Sequence, residues 1–175
     1  MGIDIHVRVT KYNKEKNIYE EIALFRKVNR PERSFDKNYP FETVSIYDGR
    51  DYEMFDGMKD GDDIDGYGYF PWTDIKLNSY EENFRNEIKE KMENKDKYGY
   101  FDFYEISLPL MKLYTNEHPK VVDYNYEYDD EKDKVMKVNP IVNLYDKILS
   151  YIDFADEDFF LATLDDYKVV FYFDC

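Results

Sequence analysis

The two ends of the chain carry its clearest β-strand patterns. Residues 3–10 (IDIHVRVT) alternate strictly, with aliphatic side chains on one face and polar side chains on the other. Such alternation predicts a half-buried strand. Residues 167–174 (YKVVFYFD) are dense in β-branched and aromatic residues, which predicts a well-buried, central strand. Because these are the most strand-like runs in the chain, we expect them to be neighbours in one sheet.

Between the terminal strands, the sequence predicts a hairpin partner for the first strand over residues 18–27, and a second hairpin within residues 121–138. Helices are predicted at four places: residues 50–58, a stretch that the Ser79–Glu82 capping box opens, a short segment from Ser107 through Leu113, and a longer one beginning at Asn139-Pro140. The chain, residues 1–175, is therefore predicted to be a single α+β domain. We expect a mainly antiparallel sheet with adjacent N- and C-terminal strands, flanked by three or four helices.

The formal net charge of −15 restricts the partners that such a protein can have. Phosphate contacts need a positive surface, so direct binding to nucleic acid or to an anionic membrane is disfavoured. Attraction to a basic protein surface is favoured. The single cysteine, Cys175, excludes a disulfide framework and fits a reducing, cytoplasmic compartment. No apolar run reaches the ~18 residues of a membrane span, and no cofactor-binding motif is recognisable.

Three segments of the chain resemble a family of uncharacterised phage and bacterial proteins. Members of that family open Met-Gly-Cys-Asp-Ile-His, where residues 1–6 read MGIDIH, with Ile3 in place of the cysteine. A middle Arg-Asn-Tyr corresponds to residues 50–52 (RDY), and a closing Val-Phe-Trp-Phe-Asp-Asn corresponds to residues 170–175 (VFYFDC). A His-Ser-rich stretch of the family is replaced by residues 103–107 (FYEIS). The resemblance implies a phage context and the host-cell cytoplasm, but no mechanism.

Asp4 and His6 form the first candidate site, because residues i and i+2 of a strand share a face. If the last strand lies beside the first, Asp174 joins them. Two carboxylates and an imidazole can hold a divalent metal ion or form an acid–base set. The same groups can also simply tie strand ends together by hydrogen bonds. A small metal-dependent hydrolase or nucleotide-binding protein with a site at Asp4, His6 and Asp174 is therefore the alternative hypothesis.

The second candidate is a set of acidic segments that also carry aromatic residues. Residues 48–74, 123–133 and 153–166 are each rich in Asp and Glu and poor in Lys and Arg. An EF-hand is not among the possibilities, because Gly61 and Trp72 stand where its Asp and Glu ligands are needed. Carboxylates along a rigid face can imitate a phosphate backbone, and interleaved tyrosines supply the contact area of binding hot spots. A merely solvated acidic face is the other interpretation of each segment.

The sequence thus favours a binding protein over an enzyme. The leading hypothesis is a phage-type counter-defence inhibitor that occupies a basic, nucleic-acid-handling surface of a host protein, for example a CRISPR effector. No cofactor, metal or catalytic residue is predicted on this hypothesis, and the oligomeric state is left open. The predicted partner-contacting residues are Asp60, Asp62, Asp63, Asp65, Tyr67, Tyr69, Asp129, Asp130, Asp156, Glu157 and Asp158.

Overall fold

The computed structural model describes residues 4–27, 41–44, 46–59, 66–94, 101–123 and 125–174. The strands are β1 (Asp4–Asn13), β2 (Ile18–Ile22), β3 (Leu24–Lys27), β4 (Phe41–Val44), β5 (Tyr47–Arg50), β6 (Thr73–Asp74), β7 (Phe101–Ser107), β8 (Lys120–Val122), β9 (Met136–Val138) and β10 (Tyr167–Asp174). The helices within these described ranges are α1 (Tyr52–Lys59), α2 (Glu82–Glu93), α3 (Leu108–Glu117) and α4 (Pro140–Ala155). The chain is a single α+β domain, as predicted.

The main sheet is antiparallel and has six strands in the described part of the chain, in the order β2-β1-β10-β7-β6, with β5 also paired to β1. β1 and β10 are adjacent from Asp4 opposite Asp174 to Lys11 opposite Tyr167, which confirms the predicted neighbours. The other edge of β1 is shared, because β5 pairs with it as far as Val7 and β2 pairs with it from Val9 onwards. We call the point between them, at Arg8, the β2–β5 fork.

The aliphatic face of β1 packs into the main hydrophobic core. Ile5, Val7 and Val9 are buried there, as the alternation predicts. The core is closed by α3 and α4, and an apolar stripe of α4 at helical spacing is buried in it: Ile141, Leu144, Ile148 and Ile152. Each such side chain contributes roughly 1.5–3 kcal/mol when it is fully buried. Packing against α3 and α4 in this core therefore stabilises β1 and β10.

The second face of the sheet is also covered, which alternation alone does not predict. Helix α2 lies over it, and its Phe84 and Ile88 pack into a separate buried cluster with residues of β7 and β10. On β1 itself, Thr10 is fully buried and donates a hydrogen bond to the Lys168 carbonyl at 3.1 Å. The polar side of β1 is therefore buried at Thr10 and is not a fully solvated face.

Two of the predicted helix starts are confirmed by their caps. The Asn139 side chain accepts a hydrogen bond from the Ile141 amide at 3.0 Å, with Pro140 following at the first helical position. The Ser107 hydroxyl accepts one from the Leu110 amide at 3.4 Å. Each bond satisfies an amide that the first turn of a helix leaves unpaired.

The predicted Ser79–Glu82 capping box is wrong. Helix α2 begins at Glu82 with Glu81 as its N-cap, which makes no side-chain capping bond. Ser79 ends a short 3₁₀ turn and donates its hydroxyl to the Lys76 carbonyl at 2.6 Å instead. The serine is therefore used in the turn that precedes the helix.

Residues 18–27 form two strands where the sequence predicts one. β2 ends at Ile22, and β3 turns away from β1 to pair with β4 in a separate two-stranded sheet. The second predicted hairpin exists as β8 and β9, and each of its strands is only three residues long. The departure of β3 from the main sheet is what opens the β2–β5 fork.

Candidate functional site

The residues of the first candidate site lie close together in the strand register. Asp4 is opposite Asp174, and His6 is opposite Tyr172. The Asp4 carboxylate accepts a hydrogen bond from Arg50 Nε at 2.7 Å, and the His6 ring stacks on Tyr172 with the centroids 4.6 Å apart. The Asp174 side chain is outside the described part of the structure, so this site stays a prediction. Among the described side chains, no three His, Cys, Asp or Glu residues are grouped as metal ligands would be.

Arg8, which is not among the predicted site residues, is the centre of a charged network. It lies on the same face of β1 as His6. Its Nε and one terminal nitrogen donate to the two carboxylate oxygens of Glu21 at 2.6 and 2.5 Å. Its terminal nitrogens also donate to Glu87 on α2 at 2.8 and 3.0 Å. The guanidinium carbon is 4.9 Å from the centre of the Phe84 ring, and the side chain is only 18% exposed.

The two glutamates keep Arg8 charged despite its burial. Burial by itself lowers the pKa of Arg8, but the hydrogen bonds and charges of Glu21 and Glu87 outweigh it and raise that pKa. Burial likewise acts to raise the pKa of Glu87. The hydrogen bonds and charge of Arg8, helped by Lys91 at 3.4 Å, prevail and lower the Glu87 pKa. Arg8 and Glu87 therefore stabilise each other's charged form.

A cavity of about 280 Å³ opens at the β2–β5 fork beside this network. Its polar lining comes from His6, Arg8, Glu21 and Glu87, and its apolar lining includes Ile22, Val44 and Ile46. Glu21 and Glu87 are 13 and 79 residues from Arg8 along the chain. The alternation of β1 could have drawn attention to Arg8, but no local pattern links it to those glutamates.

The predicted partner-contacting residues have different environments. Tyr67 is a core residue, only 5% exposed, whereas Tyr69 is 67% exposed. Asp129 and Asp130 are exposed near the turn between β8 and β9. The acidic-loop residues lie outside the described part of the chain, and their role stays a prediction: Asp60, Asp62, Asp63 and Asp65.

Asp156 is a structural residue just beyond the end of α4. Its carboxylate accepts hydrogen bonds from Lys11 Nζ at 2.8 Å and from the Tyr167 hydroxyl at 2.6 Å. It also accepts one from the Asp158 amide at 3.0 Å. Burial acts to raise the pKa of Asp156, but these hydrogen bonds and the charge of Lys11 outweigh it and lower that pKa. Asp156 therefore fastens the end of α4 to β1 and β10.

Two exposed phenylalanines flank the acidic residues that follow α4. Phe154 in the last turn of the helix is 82% exposed, and Phe160 is 66% exposed. Asp153, Glu157 and Asp158 are exposed between and beside them. We call residues 153–160 the acidic–aromatic segment. Asp156, Glu157 and Asp158 of this segment are among the predicted partner-contacting residues, whereas its phenylalanines are not. The position of Phe154 outside the buried stripe of α4 is the sequence signal that indicates its exposure.

Comparisons of the chain with protein-family models, with curated proteins and with solved structures found no match. Function therefore has to be inferred from the described side chains. Among the residues that the structure describes, no helix combines the length and the apolar character that crossing a membrane requires.

Proposed function

We propose that this protein acts by binding another protein, with the acidic–aromatic segment as its contact surface. The supporting observation is the exposure of Phe154 and Phe160 beside the carboxylates of Asp153, Glu157 and Asp158. Large apolar side chains that stay exposed among polar groups are candidates for interaction sites. Aromatic anchors within a charged rim are also the usual composition of a binding hot spot.

The middle of the segment is anchored to the main sheet. Asp156 fixes it through Lys11 and Tyr167, and the Phe159 ring packs edge-on against Tyr167 at 5.6 Å between centroids. A contact surface that is already held in place loses less conformational entropy when a partner binds. The anchors at Asp156 and Phe159 therefore support a binding role for the residues between the two exposed phenylalanines.

The proposed partner surface is basic. A chain of net charge −15 is attracted to positive surfaces over distances beyond direct contact. Proteins that handle nucleic acid carry such surfaces, because they meet phosphates with Lys and Arg. The resemblance of the termini to phage and bacterial proteins supplies the setting for the proposal. In that setting, the protein is a counter-defence inhibitor in the host cytoplasm that occupies the nucleic-acid-handling surface of a host protein, for example a CRISPR effector.

The experiment is quantitative affinity capture from host lysate with three forms of the protein. The wild type is compared with Phe154→Ala/Phe160→Ala and with a matched control, Leu110→Ala/Leu113→Ala. The control removes two other exposed apolar side chains, on α3. We expect one dominant basic partner that the wild type and the control retain and the phenylalanine variant loses by about tenfold or more. Equal retention by all three forms, or no partner at all, contradicts the proposal.

A further inference from the structure

We propose that the cavity at the β2–β5 fork is a binding site for an alkylguanidinium or alkylammonium group. The cavity exists because β2 and β5 pair with different halves of β1 and leave a gap at Arg8. This inference uses none of the contacts of the acidic–aromatic segment. It can therefore be correct or wrong independently of the proposed function.

The polar groups of the cavity lining favour a cationic donor over an anion. The described lining carries two carboxylates, those of Glu21 and Glu87, and one guanidinium, that of Arg8, so carboxylate acceptors outnumber guanidinium donors in it. Lys91 lies outside the lining, 3.4 Å from Glu87, and offsets the charge of that carboxylate without filling the cavity. An anionic ligand would have to displace a carboxylate from Arg8, whereas a cationic donor adds to the existing bonds.

The carboxylates still have hydrogen-bonding capacity for such a ligand. An ionised carboxylate offers about four lone-pair sites. Arg8 supplies one bond to each oxygen of Glu21 and one to each oxygen of Glu87, and Lys91 contacts one oxygen of Glu87 at 3.4 Å, so both carboxylates keep unused acceptor positions. Hydrogen bonds between a cationic donor and a carboxylate are about twice as strong as those between neutral groups. The remaining acceptor positions are therefore suited to a guanidinium or an ammonium.

The rest of the cavity suits an alkyl chain. Ile22, Val44 and Ile46 form an aliphatic wall, and the rings of Tyr151 and Tyr172 complete the lining. Arg and Lys side chains characteristically lay an apolar stem along such a wall and keep the charged head on polar groups. The volume of about 280 Å³ is at the lower limit of the ~300–1,000 Å³ that small-molecule sites occupy. It fits one alkyl cation better than a nucleotide.

The site is held in position before any ligand arrives. Arg8 is fixed by its four hydrogen bonds and by the Phe84 ring beneath its guanidinium. Glu21 is anchored on β2 and mostly buried, while the more exposed Glu87 reaches the site from α2. The two carboxylates therefore keep their spacing, and a ligand does not have to organise them.

The test uses four probes that share one butyl chain: n-butylguanidinium, n-butylammonium, neutral butyramide and anionic butyrate. Binding is followed by NMR, through the side-chain Nε–H of Arg8 and the backbone amides of Ile22 and Ile46. We expect saturable shifts of these signals with the two cations and none with the other two probes. Equal binding of butyramide or butyrate, shifts confined to other residues, or no binding overturns the proposal.

Two further comparisons test which residue binds the cation and whether the cation is a small molecule or a protein side chain. Glu87→Gln is expected to weaken n-butylguanidinium binding by roughly tenfold, because it removes a charge-assisted hydrogen bond. Glu93→Gln on the same helix removes the same charge outside the lining and should leave affinity unchanged. Glu87 is preferred to the more buried Glu21, and thermal unfolding verifies that both variants fold. Unchanged affinity in Glu87→Gln overturns the proposal.

A short glycine-flanked arginine peptide is compared with the free n-butylguanidinium ion. If the free ion binds at least as tightly, the natural source is a small molecule. If the peptide binds more tightly, the source is a side chain of a partner protein. Both results support a cation site, and failure of both probes to bind overturns it.

Discussion

Arg8 on β1 and Glu87 on α2 are joined by two hydrogen bonds of 2.8 and 3.0 Å across 79 residues of sequence. The same guanidinium holds Glu21 on β2 and lies over the Phe84 ring. One side chain thus connects the central strand, its neighbouring strand and the helix that covers the second face of the sheet.

Arg8→Met is expected to lower the free energy of unfolding by about 3 kcal/mol, because removal of one partner leaves buried charge uncompensated. Urea denaturation measures the change. Lys89→Met on α2 is the control. Its ion pair with Glu93 is long, at 4.0 Å, and both side chains are more than 60% exposed, so a loss under ~0.5 kcal/mol is expected. Equal losses in the two variants would show that Arg8 has no special role.

Asp156 should contribute stability that is lost in acid. Its pKa is lowered in the folded protein, so the unfolded chain takes up the proton more readily. The contribution is complete above the ordinary carboxyl pKa and disappears as the pH falls through the lower, folded value. Between about pH 5 and pH 2, the wild type should therefore lose more stability than Asp156→Asn. Glu157→Gln, at an exposed neighbour, should follow the wild type, and parallel curves for all three proteins would refute the prediction.

Gly57→Ala is expected to destabilise the protein although alanine is the better helix former by about 1 kcal/mol. A Cβ atom at Gly57, within α1, would overlap the ring of the buried Tyr67. Overpacking of this kind costs typically about 1–3 kcal/mol. Gly49→Ala is the control, since its nearest neighbour is the Tyr47 ring at an ordinary 3.6 Å. Thermal unfolding compares the two, and a more stable Gly57→Ala would contradict the expectation.

The features of the fold that sequence predicts are those set by neighbouring residues. The alternation of β1 and the stripe of α4 each place their apolar side chains in the core. Asn139 and Ser107 cap helices as their position before a proline-containing first turn suggests. Such signals are local, because strand and helix periodicity and capping bonds involve residues within a few positions of one another.

The features that sequence misses depend on distant contacts. The apolar character of residues 18–27 continues through Ala23, and only the pairing of β3 with β4 shows where the strand breaks. Asp156 resembles the surface acids around it, and its structural role depends on Lys11 and Tyr167 from other strands. The cavity likewise needs Glu87 beside Arg8. Long-range pairing of charged groups leaves no periodic trace in the sequence.

Partner binding through the acidic–aromatic segment should weaken steeply with salt. Long-range attraction between exposed charges is screened, with a Debye length of about 8 Å at physiological ionic strength and about 3 Å at 1 M. Calorimetry with the captured partner at low and high salt measures the effect. The Phe154→Ala/Phe160→Ala variant is expected to lose affinity at both salt concentrations, because its defect is apolar. An affinity of the wild type that does not change with salt would remove electrostatic mimicry from the proposal.

Two sets of charge-removing variants separate a binding protein from an enzyme. Asp4→Asn/His6→Ala removes two of the three groups of the alternative site. Circular dichroism must first show that this variant folds, because Asp4 pairs with Arg50 and His6 stacks on Tyr172. A metal or proton-transfer site fails when a ligand or base is removed, so an enzyme would lose its activity. A binding protein that still folds should keep its partner.

Neutralising acidic surface residues should instead weaken partner binding. One variant changes Asp153, Glu157 and Asp158 to their amides, and another does the same at Asp60, Asp62, Asp63 and Asp65. Charge pairs that are desolvated at an interface are worth several kcal/mol, while rim charges contribute little, so the set that lies within the interface should cost at least about tenfold in affinity. The set that lies at the rim of the interface should change the affinity little. Loss of function in the folded Asp4→Asn/His6→Ala variant alone, with both acidic sets unaffected, would show that the binding hypothesis is wrong and that the strand-end site carries the function.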